Sequence, residues 1–373
     1  MNIYASHPSV FEGHFSNLEL TDADLLSAIG EFIDFQSGIV SPSLRVFRGG
    51  QREELEYRLL QSRPDAFPDM ESWFFRIFGN EGTAIFLNQL ERWSVPVSNF
   101  VAELSAELSL DRVMDVEAVL LAGDYGFTPF GAHKDDDDTQ IVHIPISGSV
   151  KTMYAWADEV FINATGGEQR CYSPEHLVGL AERFCYGVGD CFHLPPGHFH
   201  VGYNEKFSAT LVLTFTPKII SKPTDAIEPY LNCCYGNDWR SNRLASKKYF
   251  PEVIGDLERF NFLLRNSKAG LKSKLSVPAN PLSFDPDKPY SLVQPFSIFY
   301  EAFDDLLIFM RGHVVRISSE MPQAHMREIC CIFELFNSGW TGCARELELV
   351  LRSLHREAIQ GVLEMLFRHH VIE

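Results

Sequence analysis

Two imidazoles and a carboxylate stand where a metal could use them: His133-Lys134-Asp135, and His200 at the end of Pro195-Pro196-Gly197-His198-Phe199-His200. A close H-x-D pair with a distant histidine is the donor set of a non-haem Fe(II) site. Such a triad covers one side of the metal and leaves the other positions open. Residues i and i+2 of a strand share a face, so His133 and Asp135 are expected to reach one metal while Lys134 turns away. His200 is expected to arrive on a second strand from across a barrel. The lead-in from Tyr186 to Gly197 reads as a turn, a short apolar strand and a tight Pro-Gly turn. His198 is a competing ligand, with the rim of the pocket as its other place. Zinc is the rival ion for a His/His/carboxylate set.

The H-x-D tripeptide alone is weak evidence. Asp135 also opens an acidic run to Asp138, and such runs are usually solvated. What raises its weight is the G-D-C-F-H-L-P-P-G-H-F-H segment and the apolar, strand-like sequence around it. Residues 116–121, 140–146 and 209–216 have that character. Barrel strands are therefore expected over roughly 115–217, interrupted by a loop and helix near 173–184. Upstream, Thr21 to Asp24 caps a helix over 25–35, 44–47 and 83–87 read as strands, and helices are expected near 51–60 and 97–108.

From about Gly82 to Pro217 the chain resembles the Jumonji C (JmjC) cupin oxygenases, most of all the ribosomal-oxygenase branch, whose members hydroxylate side chains of ribosomal proteins. Three stretches carry the resemblance: Leu87-Asn88-Gln89-Leu90-Glu91-Arg92-Trp93-Ser94-Val95-Pro96, Phe130 to Asp138, and the G-D-x-x-x-L-P-P-G-x-x-H-x-G run from Gly189 to Gly202. They are moderately specific and stand in the family's order. The resemblance implies a mainly β core, a double-stranded β-helix of the cupin/JmjC type, with α-helical flanks and a C-terminal helical, winged-helix-like domain. It implies Fe(II), 2-oxoglutarate and O2, with His133, Asp135 and His200 as the ligands.

The far carboxylate of 2-oxoglutarate needs a cation or hydroxyl donors. In the family a basic residue on the strand after the H-x-D hairpin serves, and Lys151 is the matching residue; a lysine suffices as a point charge. The match requires the turn Pro145-Ile146-Ser147-Gly148-Ser149 to be longer than usual. Where the family often places an Asn and a Tyr near the cosubstrate, this chain has Ala118 and Leu120. Thr210, Thr214, His143 and Tyr125 are the candidate substitutes. His143 is the sharpest of them, being read as on one strand with Asp135 at even spacing, although a lone His on an apolar strand is more often a core residue. The implied chemistry is decarboxylation to succinate and CO2 coupled to hydroxylation, or to demethylation where the oxidised carbon bears nitrogen.

Composition agrees with an enzyme of this kind. The 373 residues are 45% hydrophobic with 30 Phe, enough for two or three domains. A net charge of −18 opposes nucleic acid and suits a basic protein or peptide partner. The 8 cysteines show no C-x-x-C, so neither a disulfide framework nor a zinc ribbon is expected. No signal sequence or long apolar run is evident, so a cytoplasmic enzyme without membrane contact is expected.

Three divisions are expected: 1–218 as the JmjC-like domain, 219–290 as a helical dimerisation-like segment, and 291–373 as the winged-helix-like domain. Residues 218–223 read as a linker, and everything from about 296 reads as helical, with helices over 322–337, 342–351 and 353–369. Tyr230, Tyr235, Trp239, Tyr249, Phe250, Phe260 and Phe262 suggest a homodimer interface over 224–275. Two other functions stay open. One is a 2-oxoglutarate oxygenase acting on a small molecule or natural-product peptide; the other is a non-catalytic metal-binding cupin scaffold.

Overall fold

The computed structural model describes residues 5–36, 41–48, 51–52, 55–108, 110, 114–135, 138–217, 230–233, 250–276, 283–303, 305–318 and 320–373. The chain separates into two compact units, residues 1–101 with 114–217, and 102–113 with 218–373.

Among the described residues, the first unit contains fourteen strands: β1 (Ser9–Phe11), β2 (Leu44–Arg48), β3 (Gln51–Arg52), β4 (Thr83–Leu87), β5 (Met114–Gly123), β6 (Gly126–Phe127), β7 (Ala132–His133), β8 (Gln140–Gly148), β9 (Lys151–Ala157), β10 (Arg170–Cys171), β11 (Glu182–Tyr186), β12 (Cys191–Leu194), β13 (His198–Asn204) and β14 (Ser208–Pro217). One sheet has the order β1-β12-β8-β14-β5-β4-β2-β3, and the other β10-β7-β13-β9-β11 with β6 against β13. Inward side chains of both meet in one core. Phe86, Leu121, Ile141, Phe192 and Val212 come from the first sheet; Met153, Ala155 and Tyr186 come from the second. Two sheets closed over a shared core form the double-stranded β-helix. The outer face of the second sheet packs Trp156, Phe199 and Val201 against Phe161 and Leu177.

Among the described residues up to Pro217, the α-helices are α1 (Asp22–Gln36), α2 (Glu56–Leu60), α3 (Met70–Phe78), α4 (Val95–Glu107) and α5 (Asp158–Thr165). At the start of α1, Asp24 accepts hydrogen bonds from the backbone N–H and the hydroxyl of Thr21, each 2.8 Å, one half of a capping box.

Several expectations need correction. Gln51–Arg52 is a strand, so the helix read over 51–60 shrinks to α2. The interruption of the barrel lies at α5 and two single 3-10 turns, 174–176 and 178–180, while Phe184 already belongs to β11. The 145–149 segment is no long turn. Strand β8 continues to Gly148, and the extra residue is a bulge: Thr210 pairs Pro145 while Ala209 pairs Ser147, leaving Ile146 over. Proline has no N–H for the ladder, so a bulge beside Pro145 is a favourable place to break it.

The second unit contains α6 (Phe250–Asn266), a three-stranded antiparallel sheet of β15 (Phe299–Ala302), β16 (Leu306–Met310) and β17 (His313–Ile317), and helices α7 (Gln323–Asn337), α8 (Ala344–Val350) and α9 (Arg356–Arg368). The sheet corrects the helical reading of the segment from 296. Strand β16 is buried on both faces: Leu307 and Phe309 pack with Tyr230, Leu257 and Phe260, whereas Ile308 and Met310 pack with residues of α7 and α9. Tyr230 and Phe260 are thus consumed inside the unit, and Phe262 is 65% exposed. Tyr235, Trp239, Tyr249 and the 218–223 linker lie outside the described residues, as does the side chain of Phe250. Between α8 and α9 the backbone N–H groups of Arg352, Ser353 and Leu354 all donate to the Glu328 carboxylate of α7, at 2.8–2.9 Å. Burial pushes Glu328 up, but those donors outweigh it and hold the carboxyl below its ordinary value. Among the described residues, no helix is long and apolar enough to cross a membrane.

Candidate metal centre and the chamber behind it

His133 ends β7 and His200 lies in β13, and the two residues are direct partners in the ladder. They share a sheet, so His200 comes from the neighbouring strand and not from across the barrel. Gly131 makes the approach possible. It has φ +70°, and a Cβ there would sit 2.4 Å from the Cys171 carbonyl oxygen. The Gly131 carbonyl in turn lies 2.9 Å from Nδ1 of His133. That partner takes the Nδ1 proton and leaves the Nε2 lone pair free for a metal.

Strand β7 stops at His133, and Asp135 follows in irregular backbone, so it shares no strand with His143 of β8. Its carboxylate nevertheless reaches both rings, 3.7 Å from His133 Nε2 and 3.5 Å from His200 Nε2. One donor atom from each of the three residues falls within 4.8 Å of the others. Lys134 points away, as the spacing predicts, and pairs with Asp158 at 2.8 Å. His198 is not in the donor group; it lines a small cleft with Asp135, Thr139 and Pro195.

The electrostatics leave the triad ready for a divalent ion. Burial works against the charge of Asp135, but the adjacent His133 and His200 outweigh it and hold the carboxyl at about 2. Burial, with His133 beside it, lowers His200 to about 4. At neutral pH Asp135 is therefore a carboxylate and His200 a free imidazole base, the forms that bind metal.

Beyond the triad, the barrel interior collects buried polar atoms. Lys151 opens β9 with no exposure, and its Nζ has no hydrogen-bond partner. Burial alone lowers its ammonium to about 7. Tyr186 is its ladder partner on β11, and the Tyr125 ring lies 5.9 Å from Nζ. The Tyr186 hydroxyl, Nδ1 of His143 and the Thr210 hydroxyl also lack partners, and Tyr125 Oη stands near Ser208 outside hydrogen-bonding geometry. Burial raises both phenols above their ordinary range and pushes His143 well below its own. Buried polar groups are nearly always paired, so a cluster of unpaired ones marks a place built for a polar ligand.

Pairing explains who faces this chamber. Val212 pairs with both Val119 and His143, and Thr210 with Leu121 and Pro145. Partners in a ladder share a face, so Val119 and Leu121 point inward while Ala118 and Leu120 belong to the other side of β5. The missing Asn and Tyr are therefore no gap in this chamber. Thr214 also points inward, but its hydroxyl is spent on the Glu117 carbonyl at 3.5 Å. Gly202, two residues after His200, lies beneath Lys151: a Cβ there would be 3.4 Å from Lys151 Cε and 3.1 Å from Thr128 Cγ2.

Sequence reasoning missed Tyr186. Its signal was available, since Phe184 and Tyr186 alternate into the core, but a tyrosine just before a Gly-rich turn reads as the edge of a loop.

No protein-family model matches the chain, and no curated protein sequence does. Among solved structures it is similar to the ribosomal oxygenase YcfD from Escherichia coli in complex with cobalt and 2-oxoglutarate. That match has 12% identity and a TM-score of 0.50, covering 98% of this chain and 94% of that one. A second crystal structure of the same Escherichia coli oxygenase matches at 13% identity with the same TM-score and coverage. At this identity the likeness is one of fold, and the chain has the fold of that ribosomal oxygenase across nearly its whole length.

Proposed function

We propose that this protein is an Fe(II)- and 2-oxoglutarate-dependent oxygenase that hydroxylates a side chain of a protein or peptide. The observation that carries the reading is the conjunction, inside one barrel, of an open His-Asp-His donor set with a buried lysine that has no partner. The fold shared with a protein whose solved structure is in complex with cobalt and 2-oxoglutarate supports it.

The residues fit both groups. His133, Asp135 and His200 would hold the metal, and Lys151, Tyr125 and Tyr186 would receive the far carboxylate of 2-oxoglutarate. When bound, Fe(II) supplies activation of O2, with one oxygen atom going to succinate as CO2 leaves and the other to a substrate C–H bond. The chain itself orients and excludes. The Gly131 carbonyl fixes the His133 tautomer, and the phenol hydroxyls offer protons to a carboxylate. Met153, Leu121 and Val212 keep the chamber dry, which strengthens each of those contacts.

Anaerobic addition of 2-oxoglutarate to the Fe(II)-loaded protein should produce a weak metal-to-ligand charge-transfer band in the visible. No band at saturating metal would sink the reading.

The wall above the chamber gives a second expectation. Gly202→Ala crowds Lys151 Cε and Thr128 Cγ2, and overpacking of this sort costs ~1–3 kcal/mol. The variant should need roughly tenfold more 2-oxoglutarate for half-maximal turnover at unchanged iron content, as read from initial rates. An unaltered requirement would mean the cosubstrate does not lie over Gly202.

The finer assignments rest on supporting features. The net charge of −18 and the acidic run from Asp135 suit a basic protein or peptide substrate. Free cysteines throughout the described residues suit a reducing cytoplasm. Residues 219–290 as a dimerisation segment, with the chain a homodimer, are supported by the exposed Phe262. Residues 291–373 as a winged-helix-like domain are supported by α7, α8 and α9 lying with a three-stranded sheet.

A further inference from the structure

Among the described residues, the chamber holds a basic group and no anion set against it. Lys151 is wholly buried and its Nζ is unpaired. The groups facing it can be named strand by strand. β11 presents the Tyr186 phenol, β8 presents His143, β13 presents His200 and Gly202, and the residues before β6 present Tyr125. β14 presents Thr210 and Val212, and β12 presents Phe192 and Leu194. The inward carboxylate of β5, Glu117, stands six residues before Gly123, the end nearest Tyr125, roughly 20 Å away by strand rise. Asp135 is engaged between the His133 and His200 rings.

We propose that, in the oxygenase reading on which this rests, 2-oxoglutarate enters the chamber together with one proton, taken up by Lys151 as the far carboxylate docks. Without ligand, an ammonium at this position is cut off from water with no anion against it, and desolvation favours the free amine. A docked carboxylate supplies the missing counter-charge and restores the ammonium. The balance is simple: one solvent proton adds to the Nζ lone pair, no bond to carbon changes, and ligand plus lysine enter with one negative charge fewer than the ligand carries outside. The lowered lysine value of about 7 agrees; burial, with Lys151 and His200 nearby, pushes His143 well below its own range. An arginine would stay charged at every working pH, so the choice of lysine is what makes uptake pH-dependent.

Calorimetry reads this directly. 2-Oxoglutarate is titrated into the full-length, Mn(II)-loaded protein in buffers of different ionisation enthalpy. The slope of observed heat against buffer enthalpy counts protons taken up. About 0.9 proton is expected at pH 8 and about 0.1 at pH 6, given an unliganded value near 7, with affinity falling about tenfold per unit above pH 7. In Lys151→Arg the uptake should vanish at both pH values while binding persists. Lys151→Met is the companion variant should the arginine not be accommodated: it keeps the apolar volume and should bind weakly, with no uptake. Binding by the wild-type protein with less than about 0.2 proton at pH 8 overturns the inference and leaves the oxygenase reading standing. So does undiminished uptake in the arginine variant, which would assign the proton to another group. No heat at all from a protein shown to hold Mn(II) overturns the oxygenase reading itself.

Discussion

Asp135→Ala is expected to abolish metal-dependent conversion of 2-oxoglutarate to succinate and to leave the metal-free fold intact. The carboxylate is the one anionic donor of the triad, and its loss leaves two imidazoles, too few ligands to retain a hard divalent ion such as Fe(II). Its contacts within the protein are with those same rings, and the side chain is 37% exposed. Removing it should therefore shift metal-free stability by less than ~1 kcal/mol. The two readouts are succinate formation and metal content after desalting, with urea unfolding of metal-free protein as the control. An Asp135→Ala protein that kept iron and wild-type succinate formation would refute the ligand assignment.

The second large effect belongs to Lys151. Lys151→Ala should raise the 2-oxoglutarate needed for half-maximal turnover by about 10- to 150-fold. A hydrogen bond between charged partners contributes ~1.5–3 kcal/mol, and the unpaired Nζ has no competing partner to surrender. Metal content should be unchanged, because the lysine belongs to none of the three donors. A metal-free protein carrying Lys151→Met should be at least as stable as the parent, since an unpaired polar group leaves the core at nearly constant volume. An unaltered 2-oxoglutarate requirement in the alanine variant would pass the carboxylate to Tyr125 and Tyr186 alone.

How much of this was visible in the linear chain differs from element to element. The donors were visible because the H-x-D pair and the Pro-Pro-Gly turn before His200 are local patterns, and α7 because its periodicity is strong. The route by which His200 reaches the metal was not. Ladder pairing of β13 with β7 is a long-range fact, and β7 is only two residues long. The bulge at Ile146 was likewise invisible, since its cause lies in the register of β14 against β8. Strand β16 reads as an unbroken apolar run, Leu306 to Met310. A run without alternation does not separate a doubly buried strand from a helix. Tyr186 was missed for a related reason: it stands opposite Lys151 by ladder pairing, and a pairing has no signature in either residue alone.

The Glu328 carboxylate, held by three successive amides ahead of α9, has a consequence for what the second unit can touch. Converging amides before a helix are a natural seat for phosphate, and here the protein supplies its own anion to that seat. A nucleic-acid backbone would have to evict a carboxylate that already satisfies every donor offered. The turn is in effect self-inhibited as a phosphate reader.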